Sequence, residues 1–369
     1  MKIKNISTYQ VEHALKRRVK TSTSQFSKAR EFVVKIQTDE GIDGYGAVSA
    51  RGLYGNSVAS DASLTKEFVE PLLVGKDPTR IGALNEEMDR FFHQGDLRGI
   101  TVKAAVDIAL HDVVGKILKT PIHTLLGGSY RDEIVSCAVM WIASPEENAQ
   151  HAKTLIESGF KTIKMKVGLD PRTDLRNLEA VRKLMGDDVR INADVNGQWT
   201  PQASIRWIRQ AKKFGLNYIE QPAPYWDLNG LAEVRKAVSP EVAVIADQSC
   251  QTHIRAKQVI EMRAADVINL KVGRMGFHKA KKAAILAEME GLNVKVGTTI
   301  EAGIGVTAMI HFAAALKNIE DEHTECNIML NYVTPLVDGL KSDSGGRVWK
   351  VPQGPGLGVR VIESDLTPI

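Results

Sequence analysis

The chain has 369 residues, of which 43% are hydrophobic and 25% are charged, as in ordinary soluble globular proteins. This length is too great for one ordinary core and suits a large domain joined to a smaller one. The net charge of +4, without a basic block interleaved with aromatic residues, argues against nucleic acid as a partner.

The cysteines and the apolar segments indicate a cytoplasmic protein. Cys137, Cys250 and Cys326 fit no zinc or redox spacing, and their odd number argues against a disulfide framework. The first residues alternate like a strand and lack the apolar core of a signal peptide. No apolar run has the length of a membrane span. We therefore expect a reducing compartment and no membrane partner.

Residues 1–128 are predicted to form an α+β domain. Strand-like segments at 32–38 and 44–48 flank a turn-forming Asp-Glu-Gly-Ile-Asp-Gly sequence. Three segments of helical periodicity follow, at 64–73, 81–92 and 102–118.

Residues 129–334 repeat one unit, a strand-like run followed by a helical segment. The eight runs occupy residues 133–141, 161–167, 189–196, 217–221, 242–248, 265–272, 293–299 and 321–327. From the second run onward they start about 23 to 28 residues apart, which suits a strand–helix unit. No glycine fingerprint for a dinucleotide follows a strand, so we predict a parallel barrel rather than an open sheet. Residues 335–369 carry short strand and turn signals and are predicted to return to the first domain.

Three acidic residues, Asp194, Glu220 and Asp247, stand at the ends of three successive predicted strands. In a closed barrel these strand ends are adjacent, so the carboxylates are expected to converge and to repel one another without a cation. Oxygen ligands without His or Cys favour Mg²⁺, with Mn²⁺ next. The alternative for each acid is a helix N-cap, which is less suited to three consecutive units and to a glutamate.

Three lysines flank these acids. Lys164 and Lys166 are two residues apart and are expected to point to the same side of one strand, while Lys271 ends a strand across the barrel mouth. A neighbouring ammonium group and a metal ion would both lower the pKa of Lys166. The set suits removal of the proton α to a carboxylate, because the cation stabilises the resulting enediolate and a neutral lysine takes the proton.

At this point the sequence resembles the enolase superfamily, specifically its muconate lactonizing enzyme subgroup, over nearly the whole chain. The resemblance rests on these motifs: Ala104-Ala-Val-Asp-Ile-Ala-Leu-His-Asp, Leu125-Leu-Gly-Gly, Lys164-Met-Lys, Asp194-Val-Asn, Glu220-Gln-Pro, Asp247-Gln-Ser and Asn269-Leu-Lys. It implies an α/β fold with an N-terminal α+β capping domain and a (β/α)₇β TIM-like barrel. It also implies one Mg²⁺ and assembly into a dimer or an octamer.

The resemblance also assigns roles to single residues. Asp194, Glu220 and Asp247 match the metal ligands. Lys166 and Lys271 match the two acid/base lysines, and Lys164 matches the auxiliary lysine. The candidate substrate contacts are Glu325, Tyr54, Thr298 and Asn196.

Departures from related patterns narrow the expected activity. The strand-seven segment Val296-Gly-Thr-Thr-Ile has no histidine, and Asn269 stands where an acid would complete a His–Asp dyad. Thr324-Glu-Cys-Asn is not the Asp-x-Asp that holds a substrate ammonium in dipeptide epimerases. Specificity is expected to lie in two capping-domain loops, at 16–27 and 51–60, of which the first is basic and rich in hydroxyl groups.

The leading hypothesis is a Mg²⁺-dependent isomerase of a small carboxylate, either a muconate-type cycloisomerase or a racemase/epimerase. The alternative is a β-elimination lyase of the o-succinylbenzoate synthase kind. A barrel that binds a carboxylate without turnover is the third reading, but it predicts a broken set of acids and lysines, whereas the set is complete.

Overall fold

The computed structural model describes residues 1–50, 52, 55–92, 97–320 and 322–369. The N-terminal part is an antiparallel sheet followed by helices. Its elements are β1 (Ile3–Lys20), β2 (Gln25–Thr38), β3 (Asp43–Ser49), α1 (Val58–Leu64), α2 (Glu70–Leu73), α3 (Ile81–Phe91), α4 (Ile100–Ile117) and α5 (Ile122–Leu125). A π-helical turn, Thr65–Val69, joins α1 to α2.

Helix α4 lies against β3 at very short range. The strand lacks side chains at the contact, because Gly44 and Gly46 face the helix. A Cβ atom on Gly46 would lie only 1.9 Å from the backbone oxygen of Ala105. Nearly every residue of α4 is buried, so this helix is the centre of the N-terminal part.

The predicted loop at 16–27 is instead the end of a long hairpin. Strand β1 continues to Lys20 and β2 begins at Gln25, so only four residues form the turn. The hydroxyl group of Thr21 closes this turn, accepting hydrogen bonds from the backbone N–H groups of Thr23 and Ser24. The end of β1 was not predicted because its basic residues, Lys16, Arg17 and Arg18, follow one another and do not alternate with apolar residues.

The predicted barrel is confirmed, with seven parallel strands in sequence order. The strands are β5 (Ala138–Met140), β6 (Thr162–Lys166), β7 (Arg190–Asp194), β8 (Leu216–Glu220), β9 (Ala243–Ala246), β10 (Val267–Leu270) and β11 (Asn293–Val296). The helices are α6 (Pro145–Glu157), α7 (Pro171–Met185), α8 (Pro201–Ala211), α9 (Leu228–Val238), α10 (His253–Glu261), α11 (Val272–Met289) and α12 (Gly303–Ala314). Helix α11 is interrupted at Gly276, where φ is 68°.

Two predicted strands differ in the structure. The run at 133–141 is divided, because the strand β4 (Glu133–Val135) pairs outside the barrel before β5 begins. The run at 321–327 holds only an isolated bridge between Thr324 and Ser136 among its described residues. A second bridge joins Val294 of β11 to Ile319, so the described residues from 319 to 324 contact both β11 and the segment before β5 through isolated bridges.

The C-terminal segment contributes four short strands, β12 (Val337–Asp338), β13 (Val348–Lys350), β14 (Arg360–Val361) and β15 (Thr367–Pro368). Strand β13 pairs with β4, and β15 pairs with β1 at the edge of the N-terminal sheet. The predicted domain boundaries, after residues 128 and 334, stay predictions. No helix in the described ranges is long and apolar enough to cross a bilayer.

Candidate active site

The three predicted metal ligands lie at the carboxyl ends of neighbouring strands. Asp194 and Glu220 are the last residues of β7 and β8 and are paired in register. Asp247 directly follows β9. All three residues are at most 1% exposed. The alternation of strands and helices therefore places three buried carboxylates at one end of the barrel.

Lys164 and Lys166 lie beside these acids on β6. The Nζ atom of Lys166 is 2.5 Å from Asp194 Oδ2 and 3.3 Å from Asn196 Oδ1. The Nζ atom of Lys164 is 3.2 Å from the same oxygen of Asp194 and 3.5 Å from Glu220 Oε2. Both lysines thus reach one carboxylate from the same side of the strand.

Lys271 lies on the other side of the acids, directly after β10. Its Nζ atom is 2.8 Å from Asp247 Oδ2. Arg274, which sequence reasoning missed, holds the second oxygen of Asp247, with Nη1 3.1 Å from Oδ1. Its Nη2 donates to the backbone oxygens of Cys250 and Asn269. Nothing in the local sequence distinguishes this buried arginine from a solvated residue at the start of a helix.

Glu220 is held by two residues that were not among the predicted site residues. The Nζ atom of Lys295 is 2.6 Å from Glu220 Oε2, and Asn269 Nδ2 donates to Oε1 at 2.9 Å. Lys295 is 1% exposed and lies in β11 between Val294 and Val296. This alternation is the signal that would have identified it, since it also singles out the lysines of β6.

Glu325, a predicted substrate contact, is paired with two buried lysines. Its Oε1 forms ion pairs with Lys164 and, at 2.7 Å, with Lys295. Its Oε2 accepts a hydrogen bond from the backbone N–H of Thr298 at 3.2 Å. The side chain is only 3% exposed, so protein cations already neutralise this carboxylate.

The two lysines of β6 have opposite pKa shifts. Burial lowers the pKa of Lys166 from its ordinary value, and the ammonium group of Lys164 adds to this effect, while Asp194 opposes it. Burial would also lower the pKa of Lys164, but Glu220, Glu325 and Asp194 outweigh it and raise that pKa well above its usual range. Of this pair, only Lys166 is shifted toward the neutral form that a base requires.

Gln221 connects the turn after β8 to the turn after β9. Its backbone is left-handed, with φ of 41°. Its side-chain oxygen accepts hydrogen bonds from the backbone N–H groups of Asp247 and Ser249, both at 3.0 Å. Its amide nitrogen donates to the backbone oxygen of Ala223 at 2.9 Å. Because Gln221 is fully buried, these bonds fix the position of Asp247.

A cavity of about 130 Å³ opens onto these groups and is roofed in part by the turn of the β1–β2 hairpin. Its lining includes Thr21, Thr23, Ser24, Trp141, Lys164, Lys166, Asn196, Asp247, Gln248, Gln251, Lys271, Arg274, Thr298 and Glu325. The hairpin is held to the barrel by Ser22, whose hydroxyl donates to the backbone oxygen of Val195 at 3.1 Å. Tyr54 lies outside the described residues.

The three strand-end carboxylates have the donor chemistry that Mg²⁺ or Mn²⁺ prefers. Within the described part of the chain, no three His, Cys, Asp or Glu side chains are gathered closely enough to form a metal site. The ammonium groups of Lys166 and Lys271 lie against Asp194 and Asp247 instead. The three carboxylates are nevertheless donors of the kind that bind a divalent cation, whose positive charge would replace that of the two ammonium groups.

Two family models match the chain. The mandelate racemase/muconate lactonizing enzyme N-terminal domain matches residues 5–127, and the enolase C-terminal domain-like model matches residues 147–365. Among curated relatives, the N-succinyl-L-Arg/Lys racemase of Bacillus cereus is 32% identical over 99% of this chain and 97% of its own length. The L-Ala-D/L-Glu epimerase of Clostridium acetobutylicum is 32% identical over 99% of this chain and 100% of its own length. Muconate cycloisomerase 1 of Rhodococcus opacus is 31% identical over 98% of this chain and 96% of its own length.

Solved structures agree over the same length. The N-succinyl Arg/Lys racemase from Bacillus cereus superposes with a TM-score of 0.92 at 30% identity, covering 99% of this chain and 97% of the other. A dipeptide epimerase from Enterococcus faecalis, complexed with Mg and L-Leu-L-Tyr, gives a TM-score of 0.90 at 29% identity, covering 98% and 100%.

Proposed function

Since the chain belongs to the mandelate racemase/muconate lactonizing enzyme family, as an isomerase of the muconate lactonizing enzyme subgroup, we propose that it removes the proton α to a substrate carboxylate. We propose further that the substrate is a small amino-acid derivative and that the reaction is racemisation or epimerisation. The observation that carries this proposal is the placement of Lys166 and Lys271 on opposite sides of three buried carboxylates.

Each lysine has one role in this proposal. Neutral Lys166 accepts the α proton on one face while the C–H electron pair passes into the enediolate. Protonated Lys271 then donates a proton to the opposite face, which inverts the carbon, and the roles reverse for the other enantiomer. The lowered pKa of Lys166 supports its role as a base. Lys164 stays charged and shares the Asp194 carboxylate with Lys166.

The metal belongs to the same proposal. Asp194, Glu220 and Asp247 would hold Mg²⁺, or Mn²⁺ in its place. When bound, the cation would supply positive charge that stabilises the enediolate oxygens. The buried contacts of Gln221, Asn269 and Arg274 support this assignment, because hydrogen bonds to Glu220 and Asp247 orient these carboxylates toward a metal ion.

A muconate-type cycloisomerase is the second candidate, supported by the 31% identity to muconate cycloisomerase 1. That reaction needs one lysine to act on carbon, whereas racemisation needs both. The location in the cytoplasm and the assembly into a dimer or octamer stay predictions.

We expect hydrogen–deuterium exchange to reveal the activity. The protein with Mg²⁺ is incubated in D₂O with N-acyl amino acids, dipeptides and muconate, and incorporation at the α carbon is read by mass. A racemase exchanges both enantiomers of one compound. Lys166→Ala and Lys271→Ala should each abolish interconversion, while each retains exchange of the enantiomer that the remaining lysine deprotonates.

The matched control is Lys257→Ala, which removes an exposed lysine of α10. It should exchange both enantiomers at the wild-type rate. Full interconversion by either of the two active-site variants would overturn the two-base assignment. If muconate is the one compound that the protein converts, and if one of the two lysine variants loses this activity while the other keeps it, the result would favour the cycloisomerase.

A further inference from the structure

The pairing of Glu325 has a consequence for substrate choice. A carboxylate at this wall of the cavity is suited to bind a substrate ammonium group only if its charge is free. Here Oε1 of Glu325 pairs with Lys164 and Lys295, and Oε2 accepts from the backbone N–H of Thr298. Both oxygens are therefore engaged by the protein.

Lys295 is the partner that distinguishes Glu325 from an ordinary recognition carboxylate. Lys164 is shared among Asp194, Glu220 and Glu325, whereas Lys295 lies 2.6 Å from Glu220 and 2.7 Å from Glu325. Lys164 and Lys295 thus each pair with both Glu220 and Glu325, so the four side chains form a ring in which positive and negative charges alternate. Burial would raise the pKa of Glu325, but the lysines, Lys164 foremost, hold it well below its usual value.

The rest of the cavity has no unpaired carboxylate among its described lining residues that could bind a substrate ammonium group. Among the described lining residues, the acids are Asp247 and Glu325, whereas four side chains are cationic. Asp247 is already paired with Lys271 and Arg274. Asn327, two residues after Glu325, lines a different cavity of about 250 Å³, because the chain turns into a 3₁₀ helix at Cys326.

We propose that Lys295 is a specificity-determining residue, which neutralises Glu325 and so selects substrates whose amino group is acylated or absent over those with a free ammonium group. The discrimination is repulsive, since a ligand ammonium at Glu325 would lie beside two buried lysines and lose its hydration. This inference rests on the proposed function only in assuming that the substrate carboxylate enters this cavity.

A matched ligand pair tests the inference. L-Alanyl-L-leucine and N-isobutyryl-L-leucine have nearly the same shape, but a methyl group replaces the ammonium group in the second. Both are titrated into the Mg²⁺-loaded protein by calorimetry, and their α exchange in D₂O is measured. We expect the wild type to favour the isobutyryl compound at least 10-fold in affinity.

Lys295→Met should reduce this preference at least 10-fold, mainly by tightening the binding of alanyl-leucine, because Glu325 loses one counter-cation. Lys257→Met is the matched control on the exposed surface and should keep the wild-type ratio. Lys295 also pairs with Glu220, a proposed metal ligand, so the variant could bind Mg²⁺ less tightly. Both ligands are therefore titrated at saturating Mg²⁺, so that the metal site is equally filled in all proteins. A merely structural role for Lys295 would weaken both ligands equally and leave the ratio unchanged.

The outcomes are distinct. A wild-type preference for alanyl-leucine, or an unchanged ratio in folded Lys295→Met, overturns the inference. If Lys295→Met does not fold, Lys295→Gln is measured in its place and is decided by the same change in the ratio. Absence of α exchange on every compound counts against the proposed function, but the binding ratio still tests Lys295.

Discussion

Individual side chains at the barrel centre are organised by charge. Asp194, Glu220, Asp247 and Glu325 are all buried, and each forms an ion pair with at least one lysine. Buried ion pairs add little net stability, but removing one partner typically costs about 3–5 kcal/mol because a charge is left unpaired. This network therefore positions the reacting groups more than it stabilises the fold.

Gln221 is the residue whose removal should loosen this arrangement without removing a charge. Gln221→Ala leaves the backbone N–H groups of Asp247 and Ser249 without their buried acceptor. We expect a loss of about 3 kcal/mol in unfolding free energy, measured with urea, since each unsatisfied group costs roughly 1–3 kcal/mol. Calorimetry should also show weaker Mg²⁺ binding.

Gln202→Ala is the control, because Gln202 is exposed on α8. Its unfolding free energy should stay within about 0.5 kcal/mol of wild type, as for most surface substitutions. A Gln221→Ala protein with wild-type stability and Mg²⁺ affinity would show that Asp247 is positioned by other contacts.

At the scale of elements, the close approach of α4 to β3 seats this buried helix directly on the N-terminal sheet. The predicted helices at 81–92 and 102–118 agree closely with α3 and α4. Helix α3 has one apolar face, whereas α4 is apolar and buried on nearly all sides. The hairpin and the divided first barrel strand did not follow from periodicity. Their boundaries depend on distant partners, such as β13 for β4, which local sequence does not encode.

Gly46 and Gly82 allow a paired test of this contact. Gly46→Ala places a methyl group against the backbone oxygen of Ala105, whereas a Cβ on Gly82 in α3 meets only His278, at 3.7 Å. We expect Gly46→Ala to lower the unfolding free energy by about 3 kcal/mol or more, because backbone must move. Gly82→Ala should raise it by about 0.4–1 kcal/mol, because alanine loses less chain entropy in a helix.

Thermal and urea unfolding measure both variants. Equal stability of the two would mean that β3 and α4 separate easily, contrary to the packing seen in the structure.

Among the residues that the structure describes, a continuous hydrophobic core runs from the N-terminal sheet through the barrel. The barrel class and the acids and lysines at its strand ends were predictable, because strand–helix alternation fixes which ends meet. The partners of those residues were not. Lys295 pairs with Glu220, which is 75 residues away in the sequence, and with Glu325, which is 30 residues away. Both pairs form only because the barrel closes. The irregular eighth segment likewise follows from closure rather than from its own sequence.

Mg²⁺ should stabilise the whole fold if the strand-end carboxylates bind it. At about 100 times the dissociation constant, a ligand that binds only the folded state adds about 2.7 kcal/mol. We expect the melting temperature to rise with Mg²⁺, to fall again with EDTA, and not to respond in Asp247→Asn. Asp187→Asn, on the exposed surface, should respond like the wild type. A response in Asp247→Asn equal to that of the wild type would exclude this residue as a ligand.

The pairing of β15 with β1 also constrains how the protein is made. Tyr9 and Gln10 precede the barrel in the chain, whereas their partners Pro368 and Thr367 follow it, so this pairing forms only after the barrel has been synthesised. During translation this edge of the first sheet therefore presents open backbone hydrogen-bonding groups, which are a template for pairing with other nascent chains. The basic and acidic side chains exposed along β1 oppose such pairing until the last strand arrives.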